Sequence, residues 1–514
     1  MTIEGTSTMQ DTARGKFSPA GRAVVLALLA LAIYGLWAWS YEISNGLAVT
    51  AMRDVQIWGA YIALFMFLVG ASAGGMIVAS IGTIFHIDKL AHLSRYAIMV
   101  SLATITVAGL SIFPDLGEPQ RFWHMFAYAN WTSPMIWDVI VVLGYGFFNL
   151  AYLWIHTRSD LEARYHWLAF GRDTSGHPNA ARDARLILGF AYFALPLAFA
   201  LHSITAFIIG TQPSHPYWYS TAMAPLFISS ALTSGVALVL LVLLGLERFG
   251  RLEMGADARR WLGGFLAVSI LLNFFIIIAE VITIAEGRVT GDWAGLAQLT
   301  LGSYAWIFWT EVGTGIVALA MVITPRGRAS RVSVAGASVL ILINVALERI
   351  QLIVGGLRYP NLGYQPGISL GTPQGLTTGG ALTTAGAAGP KPFLPTASPF
   401  VPVAHYAPTW LEWSIVVGLC ALWGLLVAAG IRYLPLSVPR IAPAPAPAGS
   451  PAPIRLSDSP SPALGHTMSD SPISLPISAT MSSAATSEAA PPTMSNMSDT
   501  RPPWMQIYID GFSS

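Results

Sequence analysis

This chain of 514 residues has one cysteine, Cys420, set in an apolar run. It can form no internal disulfide and cannot hold an iron–sulfur cluster with its own thiolates, so any such cluster belongs to a partner. Charge is scarce as well. Asp, Glu, Lys and Arg make up 10% of the residues against 54% hydrophobic ones, a balance outside the range of soluble domains and inside that of polytopic membrane proteins. The net charge is +1 and the basic residues sit in short loops between apolar runs, which implies no nucleic-acid partner. His202 is the one histidine in mid-span, the other nine falling in loops, helix ends or the tail. A membrane b-type haem needs two facing imidazoles, so haem is not expected in this chain, and no metal site is expected either. The N-terminus is polar and shows no small-residue cleavage site, which predicts a retained anchor helix.

What the sequence has in abundance is apolar length. Runs able to cross ~30 Å of hydrocarbon fall at 21–41, 56–85, 90–113, 134–156, 185–211, 217–246, 259–286, 303–325, 331–356 and 409–435. An even number of spans puts both termini on one side. Assigning them to the cytoplasm divides the 27 basic residues into 21 inside, 5 outside and Arg349 within a span, as the positive-inside rule requires. The expected setting is a bacterial inner membrane, with lipid as the surrounding solvent. The expected fold is an all-α polytopic membrane protein. Its parts are a cytoplasmic segment at 1–20, a first flanking helix and outer loop at 21–55, four-helix bundles at 56–211 and 217–356, an outer Gly/Thr/Pro loop at 357–408, a last flanking helix at 409–435, and a tail at 440–514. The tail's Pro, Ala and Ser cannot offset the entropy of ordering, which predicts disorder.

Spans two to five match spans six to nine in spacing and residue class. Trp58 precedes Gly75 by the interval that separates Trp218 from Gly235, and each pair ends in a small-residue patch, GASAGG at 70–75 and SALTSG at 230–235. Such patches let helix backbones approach closely. Arg95 to Asp115 repeats the interval Arg260 to Glu280, Trp137-Asp138 resembles Trp309-Thr310-Glu311, and ALHSI at 200–204 matches ALERI at 346–350. Equal orientation makes these parallel repeats, unlike the inverted repeats of many transporters.

Six ionisable side chains lie within the spans or at their mouths: Asp115, Asp138, His202, Glu280, Glu311 and Glu348. Counting along each helix puts all six toward the outer face; the seventeen residues from Arg185 to His202, for example, rise ~25 Å. Ionisable groups are costly in hydrocarbon, so their gathering on one face points to a shared proton or ligand site.

The segments DLGEPQRFWHMF (115–126), SPMIWD (133–138), ALHSITAFIIG (200–210), TAMAPLFISSALTSG (221–235) and PTWLEW (408–413) resemble the NrfD family of polysulfide reductase-like integral membrane subunits. The similarity covers most of residues 45–435, and the ten spans look more like the family's longer branch. The resemblance implies a haem-free subunit that binds a quinone, menaquinone or ubiquinone. It would exchange electrons with an iron–sulfur subunit on the outer face, itself joined to a catalytic subunit or cytochrome. It also implies that Asp138, His202, Glu118 and Arg121, at matching motif positions, lie near the quinone headgroup.

The residues alone suit that chemistry. Histidine titrates near neutrality, and a carboxylate beside it would orient the ring and stabilise its protonated form. For Asp115, Glu280, Glu311 and Glu348 a proton pathway stands beside a structural network in which Glu348, Arg349 and Glu311 neutralise one another. At the level of function, a redox subunit, incomplete as an enzyme alone, stands beside a proton-coupled secondary transporter, since buried acids in repeated bundles serve both.

Overall fold

The computed structural model describes residues 19–53, 56–164, 180–213, 215, 217–287, 290–302, 304–358 and 406–436. The N-terminal segment before residue 19, the outer loop between residues 359 and 405, and the tail lie outside the described residues. Among those described, ten helices are long and apolar enough to cross a membrane: α1 (Pro19–Asn45), α2 (Ala60–Ile84), α3 (Ser94–Ser111), α4 (Pro134–Arg164), α5 (Ala180–Gly210), α6 (Met223–Arg248), α7 (Ala256–Gly287), α8 (Ala305–Val322), α9 (Arg331–Ile350) and α10 (Trp410–Tyr433). The protein is an all-α, multi-pass integral membrane protein; among the described residues there is no strand.

Helix is the only open structure that satisfies every backbone group in lipid without a partner strand. Hydroxyls in the spans follow the same rule by donating one turn back: Thr104 to the Val100 carbonyl at 2.7 Å, Thr157 to Leu153 at 2.7 Å and Ser338 to Val334 at 2.8 Å. Helix starts are marked chemically. Ser330 caps α9, and Thr409 with Glu412 forms a reciprocal capping box at α10, which supplies the unpaired amides of the first turn.

Within α2–α5, neighbours pack in the order α2–α3–α4–α5 and α5 returns to α2; α6–α9 close in the same way. Contact between the two groups runs through α2, α5, α6 and α9, and 94% of the α2 apolar window is buried. Glycine sets the closest approach: a Cβ on Gly74 would lie 1.9 Å from the Gly235 carbonyl carbon. Outside these groups α1 packs on α10, where a Cβ on Gly35 would lie 2.6 Å from Gly418 Cα.

The two ends of the helix assembly differ in chemistry. At one, Arg95 pairs with Asp160 at 2.5 Å, Arg158 with Asp183, and Glu247 with Arg331 at 2.9 Å and Arg259 at 3.6 Å. At the other, where α1 finishes and α2 starts, lie all six of the ionisable residues named above.

Three clusters of buried ionisable groups

The six residues do not form one site. Asp138, in the second turn of α4, is 2% exposed, and its Oδ1 accepts from the Thr205 hydroxyl at 2.5 Å. His202 stands one turn before Thr205 on α5 and is 3% exposed. Its Nδ1 lies 2.6 Å from the Ala198 carbonyl. A carbonyl can only accept, so Nδ1 carries the proton and Nε2 is the acceptor. That Nε2 is buried without a hydrogen bond of good geometry, and the ring lies against the Val69 and Gly70 backbone of α2. Asp138 therefore meets the histidine's helix through Thr205, not through the ring.

Glu118 and Arg121 pair with each other at 2.7 Å on the loop between α3 and α4 and are more than half exposed. The structure joins them to each other and not to His202 or Asp138.

Asp115, in the 3-10 turn Phe113–Leu116 that ends the third span, belongs to a second cluster with Glu42 and Glu412. Glu42, near the end of α1, accepts from the Tyr61 hydroxyl at 2.5 Å. Glu412 Oε1 accepts from the Tyr406 hydroxyl at 2.5 Å, and its Oε2 accepts the Ala51 and Thr409 amides at 2.9 and 2.8 Å. Tyr406 precedes the last span; burial and then the Glu412 carboxylate push its phenol above the usual range, so it remains a donor. Sequence reasoning misses Glu42, Glu412 and both tyrosines. The Thr409-x-x-Glu412 spacing is the one local signal, and it is a capping signal.

Glu280, Glu311 and Glu348 line a cleft of the second group, with an empty volume of about 680 Å³ including its open mouth. Tyr217, Gln351 and apolar side chains of α6, α7 and the 290–301 helix complete it. Burial and then the carboxylates of Glu311, Glu280 and Glu348 hold the Tyr217 phenol well above its usual range, so it too stays protonated. Arg349, beside Glu348 and 1% exposed, places its guanidinium 3.8 Å from the Phe227 ring centroid, donates to the Ser230 hydroxyl, and has Nη1 3.4 Å from Glu348 Oε1. A smaller cavity with an empty volume of about 300 Å³ lies further toward the arginine-rich end and shares Glu311 and Ile277 with the cleft.

Ten helices long and apolar enough to cross a membrane among the described residues, with protonatable groups gathered at one end, define a multi-pass integral membrane protein. The family described as "Polysulphide reductase, NrfD" matches residues 48–361, and the protein belongs to it. Relatives match over more of its length. A putative dimethyl sulfoxide reductase membrane subunit of Halobacterium salinarum is 36% identical over 440 residues, which span 85% of this sequence and 96% of that protein. The Hdr-like menaquinol oxidoreductase integral membrane subunit of Archaeoglobus fulgidus is 26% identical over 428 residues, 81% and 94% of the two sequences. The integral membrane subunit of a menaquinone reductase from Nitratidesulfovibrio vulgaris is 21% identical over 414 residues, 78% of this sequence and 88% of that one.

Proposed function

We propose that this protein is the quinone-interacting membrane subunit of a multi-subunit oxidoreductase. It exchanges electrons between menaquinone or ubiquinone and an iron–sulfur partner on the outer face, which in turn serves a further catalytic subunit or cytochrome. Relatives named as membrane subunits of reductases, one of a menaquinol oxidoreductase and one of a menaquinone reductase, support the class. The arginine-rich helix end supports an inner-membrane orientation with both termini cytoplasmic.

The observation that carries the site is the buried Nε2 of His202, which makes no hydrogen bond of good geometry beside the Val69 and Gly70 backbone. A quinol, when bound, supplies two electrons and two protons. His202 Nε2 is poised to accept a hydrogen bond or a proton from a hydroxyl, because the Ala198 carbonyl fixes the tautomer. Asp138, held through Thr205, is the second acceptor at the same level. Glu118 and Arg121 lie outward of them, on the side where the partner docks. Purified complex carrying His202→Ala should lose quinol-dependent reduction of the iron–sulfur partner while remaining assembled. Unchanged electron transfer in that variant would falsify the assignment.

Proton translocation is the second part of this reading. Glu311 is shared by the cleft and the deeper cavity, which extends between Asn273 and Asn344, and a protonatable group between two polar spaces suits a relay. Glu311→Gln should lower proton release per electron in liposomes while quinone turnover persists. Equal proton release would leave Glu311 a packing residue.

A further inference from the structure

The cleft between α6, α7, α8 and α9 has walls and polar groups arranged for a ligand. Its empty volume of about 680 Å³ falls in the ~300–1,000 Å³ range of small-molecule sites. Met223, Leu226, Ile277, Ile284 and Leu296 supply apolar walls. Ile278 and Ile282, on the side of α7 turned away from the cleft, are exposed, which puts α7 at the lipid boundary, and α7 meets α8 over the slightest neighbour contact in the group.

The polar end of the cleft is only partly satisfied. Glu348, 7% exposed, pairs through Oε1 with Arg349 Nη1 at 3.4 Å, whereas the amide oxygen of Gln351, a residue 4% exposed, is buried without a hydrogen-bond partner. Buried polar atoms are normally paired, and an orphan in a native structure calls for an occupant. Local backbone geometry directs it. Residues Gln351–Gly355 form a π turn at the end of α9, a geometry concentrated at functional sites. The turn is pinned from outside: Trp218 Nε1 donates to the Leu352 carbonyl at 2.7 Å, and His215 Nδ1 lies 3.1 Å from the Gly356 carbonyl. A Cβ on Gly356 would sit 1.8 Å from Trp218 Nε1, so only glycine permits this closure.

Charge selects the occupant. Three carboxyl groups, Glu280, Glu311 and Glu348, face one guanidinium, Arg349, which excludes the phosphate of a phospholipid headgroup. A neutral ring bearing oxygens fits: the Tyr217 hydroxyl can donate to a carbonyl of the oxidised ring, while the Gln351 amide oxygen can accept from a hydroxyl of the reduced one.

We propose that this lateral cleft is a second quinone headgroup site, distinct from the one at His202, with the isoprenoid tail leaving between α7 and α8 into the bilayer. The inference rests on the quinone-linked reading given above. It is a binding site, and no electron step is assigned to it.

Photolabelling of the assembled complex with an azidoquinone carrying a ten-carbon tail, followed by peptide mapping, tests it. Label should appear in peptides containing residues 277–284 or 348–352, and excess decylubiquinone should remove it. Ile284→Trp at the mouth and Gln351→Leu at the polar end should each reduce that label at least tenfold, while label in peptides spanning 195–210 persists and reports intact folding. Label confined to the 134–138 and 195–210 peptides overturns the second site alone. Label confined to the cleft sustains this inference and overturns the His202 assignment. No competable label anywhere overturns both.

Discussion

Trp58 and Trp218 stack with ring centroids 5.9 Å apart. One precedes α2 and the other precedes α6, so a single aromatic contact ties the entry points of the two helix groups. Trp218 also donates to the Leu352 carbonyl at 2.7 Å and so fixes the π turn. Trp218→Phe keeps the stack and removes the donor, which should cost about 1 kcal/mol. Trp218→Ala removes both and should cost about 3–5 kcal/mol. Unfolding of the purified complex in detergent, followed by circular dichroism, measures the order of the two.

Gly74 and Gly235 bring α2 and α6 into backbone contact. Gly235→Ala would place its Cβ 2.4 Å from the Gly74 amide nitrogen, and the helices must separate to admit it. Overpacking of this kind costs about 1–3 kcal/mol. Gly144→Ala on α4, where nothing lies within 4 Å of the added methyl, is the control and should be neutral in the same melting experiment.

Thr205→Val keeps the shape of the side chain and takes the hydroxyl from Asp138. Loss of that buried donor should lower stability by about 1–3 kcal/mol. His202→Ala should instead lower quinol-dependent turnover by roughly 10²–10⁴, the usual weight of a positioned acid–base group. Stopped-flow reduction of the partner cluster and thermal melts separate the two effects.

His215, outside the spans, is held below its ordinary value of 6.5 by burial, which the Gly356 carbonyl only partly opposes. The unfolded polypeptide therefore binds more protons just below that value than the folded one does. The contribution to stability is complete above about pH 6.5 and fades as pH falls toward the folded-state value. His215→Gln should flatten this acid limb in melting curves recorded between about pH 7.5 and about pH 5, the range that brackets an ordinary histidine. An unchanged limb would show that another group controls it.

Arg121 and Glu118 form an exposed ion pair, and exposed pairs contribute about 0–1 kcal/mol. Arg121→Ala should leave the melting temperature nearly unchanged. If the pair faces the redox partner, the same variant should weaken co-purification of the iron–sulfur subunit at low salt, and the difference from the unsubstituted protein should narrow as salt rises.

The spans are legible in the sequence because apolar length is a local property. The second span begins at Ala60 instead of 56, and the sixth at Met223 instead of 217, because the tryptophan-bearing segments before them are not helical. The separate helix Thr290–Leu301 before α8 is not legible: its apolar residues are too few to span, and it looks like a connector. The clustering of six ionisable groups at one end is readable by counting residues. Their division is not. Glu42 meets Tyr61 close in sequence, but Glu412 meets the Ala51 amide across 361 positions, and no local pattern carries such a pairing. The π turn is equally hidden, since the Trp218 donor that holds its Leu352 carbonyl comes from a distant part of the sequence.

The contact of α1 with α10 at Gly35 and Gly418 has a topological corollary. These helices run antiparallel, so Pro19 and Tyr433 emerge side by side at the same membrane surface. A short peptide bridge between them would close the polypeptide into a ring without displacing a helix, and fresh ends could then be opened at a loop of choice. Sequential order and spatial order are separable in this architecture.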